Sequence, residues 1–262
     1  MKEKLYTIEL TDAVEAGDEC MFCWLERKLE QENLEFVLGS SYMESDIREK
    51  TSKEGFCRHH TKMMYDYGNT LGNAWILKSR MEHMNRKLKE QRKQYEQGKG
   101  GRRTAAKASL FAAVTAGSRG KAKAAGAGQW ILEEEGQCYI CGRMQEIYCR
   151  MLDTFVYMLR EDVAFGERLM KCRGFCLHHF ADVLRVCGEK MNQEEQETWI
   201  LKLGELMERN LDRVQEDINW LIEKYDYRNK DADWKQSKDA VQRTMQKLTG
   251  GHPADPAFIN RK

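Results

Sequence analysis

The sequence predicts an all-α protein, two tandem helical units in a pseudo-symmetric arrangement with long heptad-like helices. Three observations lead there. The only prolines of the 262-residue chain, Pro253 and Pro256, lie in its last ten residues, so nothing before them interrupts a helix. Apolar residues recur at three- and four-residue steps, the spacing that lines one helical face. The second half of the chain also repeats the first.

The repeat is specific. Cys20-Met21-Phe22-Cys23 is answered by Gly55-Phe56-Cys57-Arg58-His59-His60, with 33 residues between Cys23 and Cys57. Cys138-Tyr139-Ile140-Cys141 is answered by Gly174-Phe175-Cys176-Leu177-His178-His179, with 34 residues between Cys141 and Cys176. Trp75-Ile76-Leu77-Lys78 returns as Trp199-Ile200-Leu201-Lys202.

The helices follow in order. Trp24, Leu25, Leu29, Leu34, Phe36 and Val37 mark the first, ending near Gly39-Ser40-Ser41. Its counterpart runs from Cys141 through Met144, Ile147, Met151, Leu152, Phe155, Val156 and Leu159. A second helix starts near Cys57 and passes Met63, Met64 and Tyr67, matched by Phe180, Val183 and Leu184. The third is long. Leu77, Met81, Met84, Leu88 and Tyr95 in one copy, and Met207, Leu211, Val214, Ile218, Leu221 and Tyr225 in the other, form seams that want a partner helix. They are expected to pack on the core, with homodimerisation the alternative.

Between the copies the composition changes. Residues 98–129 hold 17 Gly and Ala, seven basic side chains (Lys99, Arg102, Arg103, Lys107, Arg119, Lys121, Lys123) and no acidic one. Removing those seven charges from the net +1 leaves −6 elsewhere. Such a stretch buries too little to offset its ordering entropy, so it reads as a flexible linker. The expected layout is a first repeat at 1–97, the linker at 98–129, a second repeat at 130–228, and a polar C-terminal helix and tail at 229–262. That last helix is expected around Val241, Met245 and Leu248.

No apolar run approaches the roughly 20 residues of a membrane span. The N-terminus shows no apolar signal core, which points to the cytoplasm. In a reducing compartment nine cysteines are metal ligands or reactive thiols before they are disulfides.

Two residues between paired ligands let one turn or helix start present both to one ion, and zinc favours four tetrahedral ligands from thiolate and imidazole. In each second motif two histidines follow the cysteine. Positions three apart share a helical face and positions two apart do not, which selects His60 over His59 and His179 over His178. Taken in chain order, the sets are Cys20, Cys23, Cys57, His60 and Cys138, Cys141, Cys176, His179, one zinc each. An iron–sulfur cluster is the alternative cofactor. Helix starts at these pairs would favour thiolate, Gly55 and Gly174 suit the turn, and Phe56 and Phe175 would wall off water. Cys149, Cys172 and Cys187 have no counterpart in the first copy and read as ordinary thiols, with Cys172 a possible alternative ligand or redox trigger.

With four ligands available, neither site keeps an open position for substrate, and no HExxH, phosphate loop or Ser/His/Asp group is found. No enzyme is expected. The duplicated CxxC…GFCxxH pattern resembles an uncharacterised bacterial family known only as a domain of unknown function. In that family proline usually follows the leading cysteine, where this chain has Met21 and Tyr139. The resemblance spans about residues 5–225 and implies an intracellular protein without supplying an activity.

Two functions are therefore expected. The first is a zinc-stapled module for another macromolecule, with nucleic acid nominated by the linker and by Arg86, Lys87, Lys89, Arg92 and Lys93, although Glu82, Glu90 and Glu96 interleave these. The second is a thiol or metal redox sensor.

Overall fold

The computed structural model describes residues 5–100 and 129–251, and the described residues are helical with no strand. The helices are α1 (Thr7–Glu15), α2 (Met21–Gly39), α3 (Ser45–Glu54), α4 (Arg58–Tyr67) and α5 (Thr70–Gly100). Then come α6 (129–135), α7 (Tyr139–Glu161), α8 (Val163–Leu169), α9 (Leu177–Lys190), α10 (Gln193–Lys224) and α11 (Ala240–Thr249). Most of the proposed linker, and the tail beyond residue 251, fall outside the described residues.

Local chemistry explains the starts. Asp162 caps α8 by accepting from the Phe165 amide. Asn192 and Glu195 close a reciprocal capping box at α10. α1, α3, α6 and α8 were not expected from the sequence. In α3 only Ile47 and Thr51 are buried out of ten residues, too sparse a stripe to read as a period.

The chain folds into two compact units. One is formed by Met1–Gln31 with Met144–Pro256, the other chiefly by Glu32–Arg143, so the boundaries fall inside α2 and α7. The first unit is centred on Phe22, Phe155 and Phe175, fully buried and in mutual ring contact at 5.5–6.0 Å, with the buried Phe165 ring 5.8 Å from Phe155. Leu10, Leu25, Val183, Leu203 and Leu206 fill the space around them. In the second unit α3 packs on α5, and Leu34, Val37, Leu38, Met64 and Ile76 are buried.

The two seams part company. On α10, Met207 and Val214 are buried and Leu211, Ile218 and Leu221 half-buried. On α5 the expected seam turns outward, with Leu77, Met81 and Leu88 exposed. The face that turns inward carries Ile76, Arg80, His83 and Lys87, because those polar groups have a buried partner in Glu134. α11 is inverted in the same way. Val241, Met245 and Leu248 are exposed, while Ala240, Arg243, Gln246 and Lys247 are buried.

Candidate metal centres

Each of the four cysteine motifs opens a helix. Cys57 and Cys176 are the N-caps of α4 and α9, their sulfurs accepting the amides of His60 and His179 at 3.5 and 3.4 Å. Cys20 and Cys138 directly precede α2 and α7, and Cys20 accepts the Cys23 amide at 3.4 Å. Helix N-termini direct partial positive charge at thiolates, so the backbone favours their ionised form.

The structure then joins the motifs across the repeats. Cys20 and Cys23 meet Cys176 and His179, and Cys57 and His60 meet Cys138 and Cys141. The sets expected in chain order are thus replaced by crossed ones, each CxxC answering the CxxH of the other copy. Spacing along the chain could not decide this, because both combinations offer identical donors.

A matched hydrogen bond accompanies the crossing in each site. The Met21 amide donates to the Gly174 carbonyl at 3.3 Å and the Tyr139 amide to the Gly55 carbonyl at 2.9 Å. Gly55 and Gly174 sit at φ 66° and 77°, a backbone that side chains rarely tolerate. A Cβ on Gly55 would also come within 2.9 Å of the Arg80 guanidinium.

In the first centre His179 Nδ1 lies 3.3, 3.4 and 3.2 Å from the sulfurs of Cys20, Cys23 and Cys176, and the Cys23 and Cys176 sulfurs are 3.8 Å apart. In the second, His60 Nδ1 lies 3.3 Å from each of Cys57, Cys138 and Cys141, with the Cys57 and Cys141 sulfurs 3.9 Å apart. All nine cysteines are free thiols. Bonds of about 2.3 Å to sulfur and 2.0–2.1 Å to nitrogen in a tetrahedron place sulfurs about 3.8 Å and S–N pairs about 3.5 Å apart. Both groups fit one ion. His59 and His178, by contrast, are exposed.

Charge in these clusters is frustrated unless a cation shares it. Burial, then the neighbouring Cys176, push the Cys20 thiol up to about 12, while Cys20 and Cys23 pull Cys176 down. Burial and the neighbours Cys138 and Cys57 push Cys141 up to about 12. Burial opposes ionisation of Cys138 too, but His60 and the Cys141 and Cys57 backbone amides together outweigh it and bring that thiol to about 6. Burial likewise disfavours charge on His179, yet Cys176, Cys23 and Glu26 raise it to about 12. The Glu26 carboxylate lies 3.3 Å from His179 Nε2, on the side away from the sulfurs, where it would orient the ring.

Each centre is also braced by a buried carboxylate and a cation that sequence reasoning missed. Glu19 is 3% exposed and pairs with Arg213 Nη2 at 2.5 Å, Arg173 Nη1 at 3.2 Å and Lys247 Nζ at 3.4 Å. Lys247, fully buried, also donates to the carbonyls of Glu19, Arg173 and Phe175, gripping the turns that lead into Cys20 and Cys176. In the other unit Arg80 donates to the Ser52 and Lys53 carbonyls at 2.9 and 2.8 Å and to Glu134 at 2.8 Å. Arg80 thereby ties the turn before Cys57 to the segment before Cys138. Lys247 lies outside the repeats, so no duplicated motif could have flagged it.

The surroundings differ. Cys20, Cys23, Cys176 and His179 are 0, 2, 0 and 1% exposed, with the Phe22 and Tyr148 rings packed against the His179 imidazole. Gly250, where α11 ends, closes over them, since a Cβ there would lie 3.5 Å from the Cys176 sulfur and 3.9 Å from that of Cys23. In the second centre His60 is buried, Cys57 and Cys138 are half-buried and Cys141 is exposed. Cys149 is exposed, Cys172 half-buried and Cys187 buried, and none of the three joins either group.

Among the described residues no helix is long and apolar enough to cross a membrane. No curated protein and no solved structure matches the chain. A family model does match, over residues 1–255, and the chain belongs to that family, DUF6062, a family of unknown function.

Proposed function

We propose that this member of DUF6062 is a non-enzymatic zinc protein whose two crossed three-cysteine, one-histidine sites hold the fold for docking another macromolecule. One observation carries it. Three sulfurs and one imidazole nitrogen converge at single-ion spacing in both centres. Four ligands complete a tetrahedral shell and leave no position for a substrate, the mark of a structural site. Zinc suits three thiolates and an imidazole better than a hard cation does. An iron–sulfur cluster would interpose several atoms and spread its ligands beyond the contacts seen.

Elemental analysis of the purified protein with a visible spectrum tests this. Two zinc ions per chain and a colourless solution are the expected result; iron with visible absorption would replace the assignment.

Lys87 is engaged with Glu134, whereas Arg86, Lys89, Arg92 and Lys93 project along the exposed side of α5. Phosphate contacts from these and from residues 98–129 predict salt-sensitive binding to nucleic acid, and deletion of 98–129 should abolish it. Binding that survives the deletion unchanged would remove the linker from the proposal. The exposed stripe of Leu77, Met81 and Leu88 is the surface a partner helix, including one from a second copy, would cover.

A further inference from the structure

The two centres have the same donors and opposite accessibility. In the first, no ligand is more than 2% exposed, and the end of α11 and the buried Lys247 lie over the approach. In the second, the Cys141 sulfur belongs to an exposed residue, and Cys57 and Cys138 are reachable beside it. Phe56, which stands where Phe175 stands in the first centre, is only half-buried against Tyr139 at 6.4 Å.

Resting on the zinc assignment above, we propose that the Cys57–His60–Cys138–Cys141 centre is a peroxide-responsive zinc-release site, while the Cys20–Cys23–Cys176–His179 centre is a permanent staple. The Cys141 thiolate attacks one oxygen of a hydroperoxide. The O–O bond breaks, hydroxide (or alkoxide) leaves, and Cys141 becomes a sulfenic acid. The Cys57 thiolate, its sulfur 3.9 Å away, attacks that sulfur and expels a second hydroxide as the disulfide forms. Two thiolates lose two electrons, the peroxide gains them, and solvent protonates both leaving groups. Only Cys138 and His60 then remain for the ion, and zinc departs.

The test uses the full chain carrying Cys149→Ser, which removes the exposed thiol outside both centres. Zinc is counted first. A content below two ions per chain would overturn the zinc assignment and this proposal with it, before any oxidant is added. Hydrogen peroxide is then added, released zinc is followed in time, and alkylation with peptide mass mapping locates the oxidised cysteines. The expected result is one equivalent released at least tenfold faster than the second, with a Cys57–Cys141 disulfide and with Cys20, Cys23 and Cys176 still reduced. Release of both equivalents together, a first equivalent accompanied by oxidation at Cys20, Cys23 or Cys176, or retention of both ions while Cys141 is oxidised would each overturn the asymmetry alone.

Discussion

Cys20 and Cys141 are each pushed up to about 12 by burial and by neighbouring thiols, so at neutral pH an ion must displace their protons to bind. Metal affinity should therefore rise with pH, by about tenfold per pH unit for each proton displaced. Chelator competition at pH 6.5 and 8 checks this, and a flat profile would contradict it. The stripped protein runs the other way. A thiol raised from 9.0 to about 12 on folding contributes stability that is complete below 9 and lost as pH climbs toward 12. The crossed ligation has its own signature. In Cys176→Ser, alkylation of Cys20 and Cys23 should speed up while that of Cys138 and Cys141 stays unchanged; Cys57→Ser should speed alkylation of Cys138 and Cys141 instead. At this scale the sequence was informative about donors. Three-residue spacing within a helix start already separates His60 and His179 from their exposed neighbours, because it is a local rule. Which CxxC meets which CxxH is a tertiary fact, and identical motifs hold no information about it.

Among the elements, α11 departs furthest from expectation. Its apolar residues Val241, Met245 and Leu248 face out because its polar ones have better partners within. Arg243 meets Asp217 and Asp239 at 2.8 Å, Gln246 meets Asp18 at 2.6 Å, and Lys247 meets Glu19 and three carbonyls. Periodicity finds a stripe but cannot see a buried carboxylate waiting for the opposite one, and the outward turn of α5 toward Leu77 and Met81 has the same cause in Glu134. Breaking a buried ion pair by removing one partner costs about 3–5 kcal/mol. Lys247→Met should lower stability by that amount in urea denaturation of the metal-loaded protein, whereas Val241→Lys on the exposed face should change it by less than about 0.5 kcal/mol. Similar losses for both would mean that α11 does not pack on its polar side.

For the molecule as a whole, the long helices, the duplication and the all-α class were open to the sequence because periodicity and the near absence of proline are distributed signals. The interleaved units were not, since they depend on contacts between distant segments. The crossed sites close separations of 153–159 and 78–84 residues rather than the few tens expected in chain order. Loop-closure entropy grows as (3/2)RT ln n, so an ion that closes a span near 153 residues instead of 34 restrains the unfolded chain by about 1.3 kcal/mol more. Stripping metal should lower the melting temperature substantially, since structural zinc supplies roughly 10–16 kcal/mol in small modules. A melting temperature unchanged by chelation would deny the ions their structural role.

The exchange of ligands also sets a schedule for synthesis. A chain leaving the ribosome presents Cys20, Cys23, Cys57 and His60 long before Cys138 exists, four donors that together match the pattern of a complete site. The native protein divides those four between two different clusters. Zinc captured early by the first repeat would therefore have to be surrendered and shared out again. The centre that contains Cys141 can be completed first, and the buried one must wait for His179, with Lys247 and then Gly250 arriving last to close it.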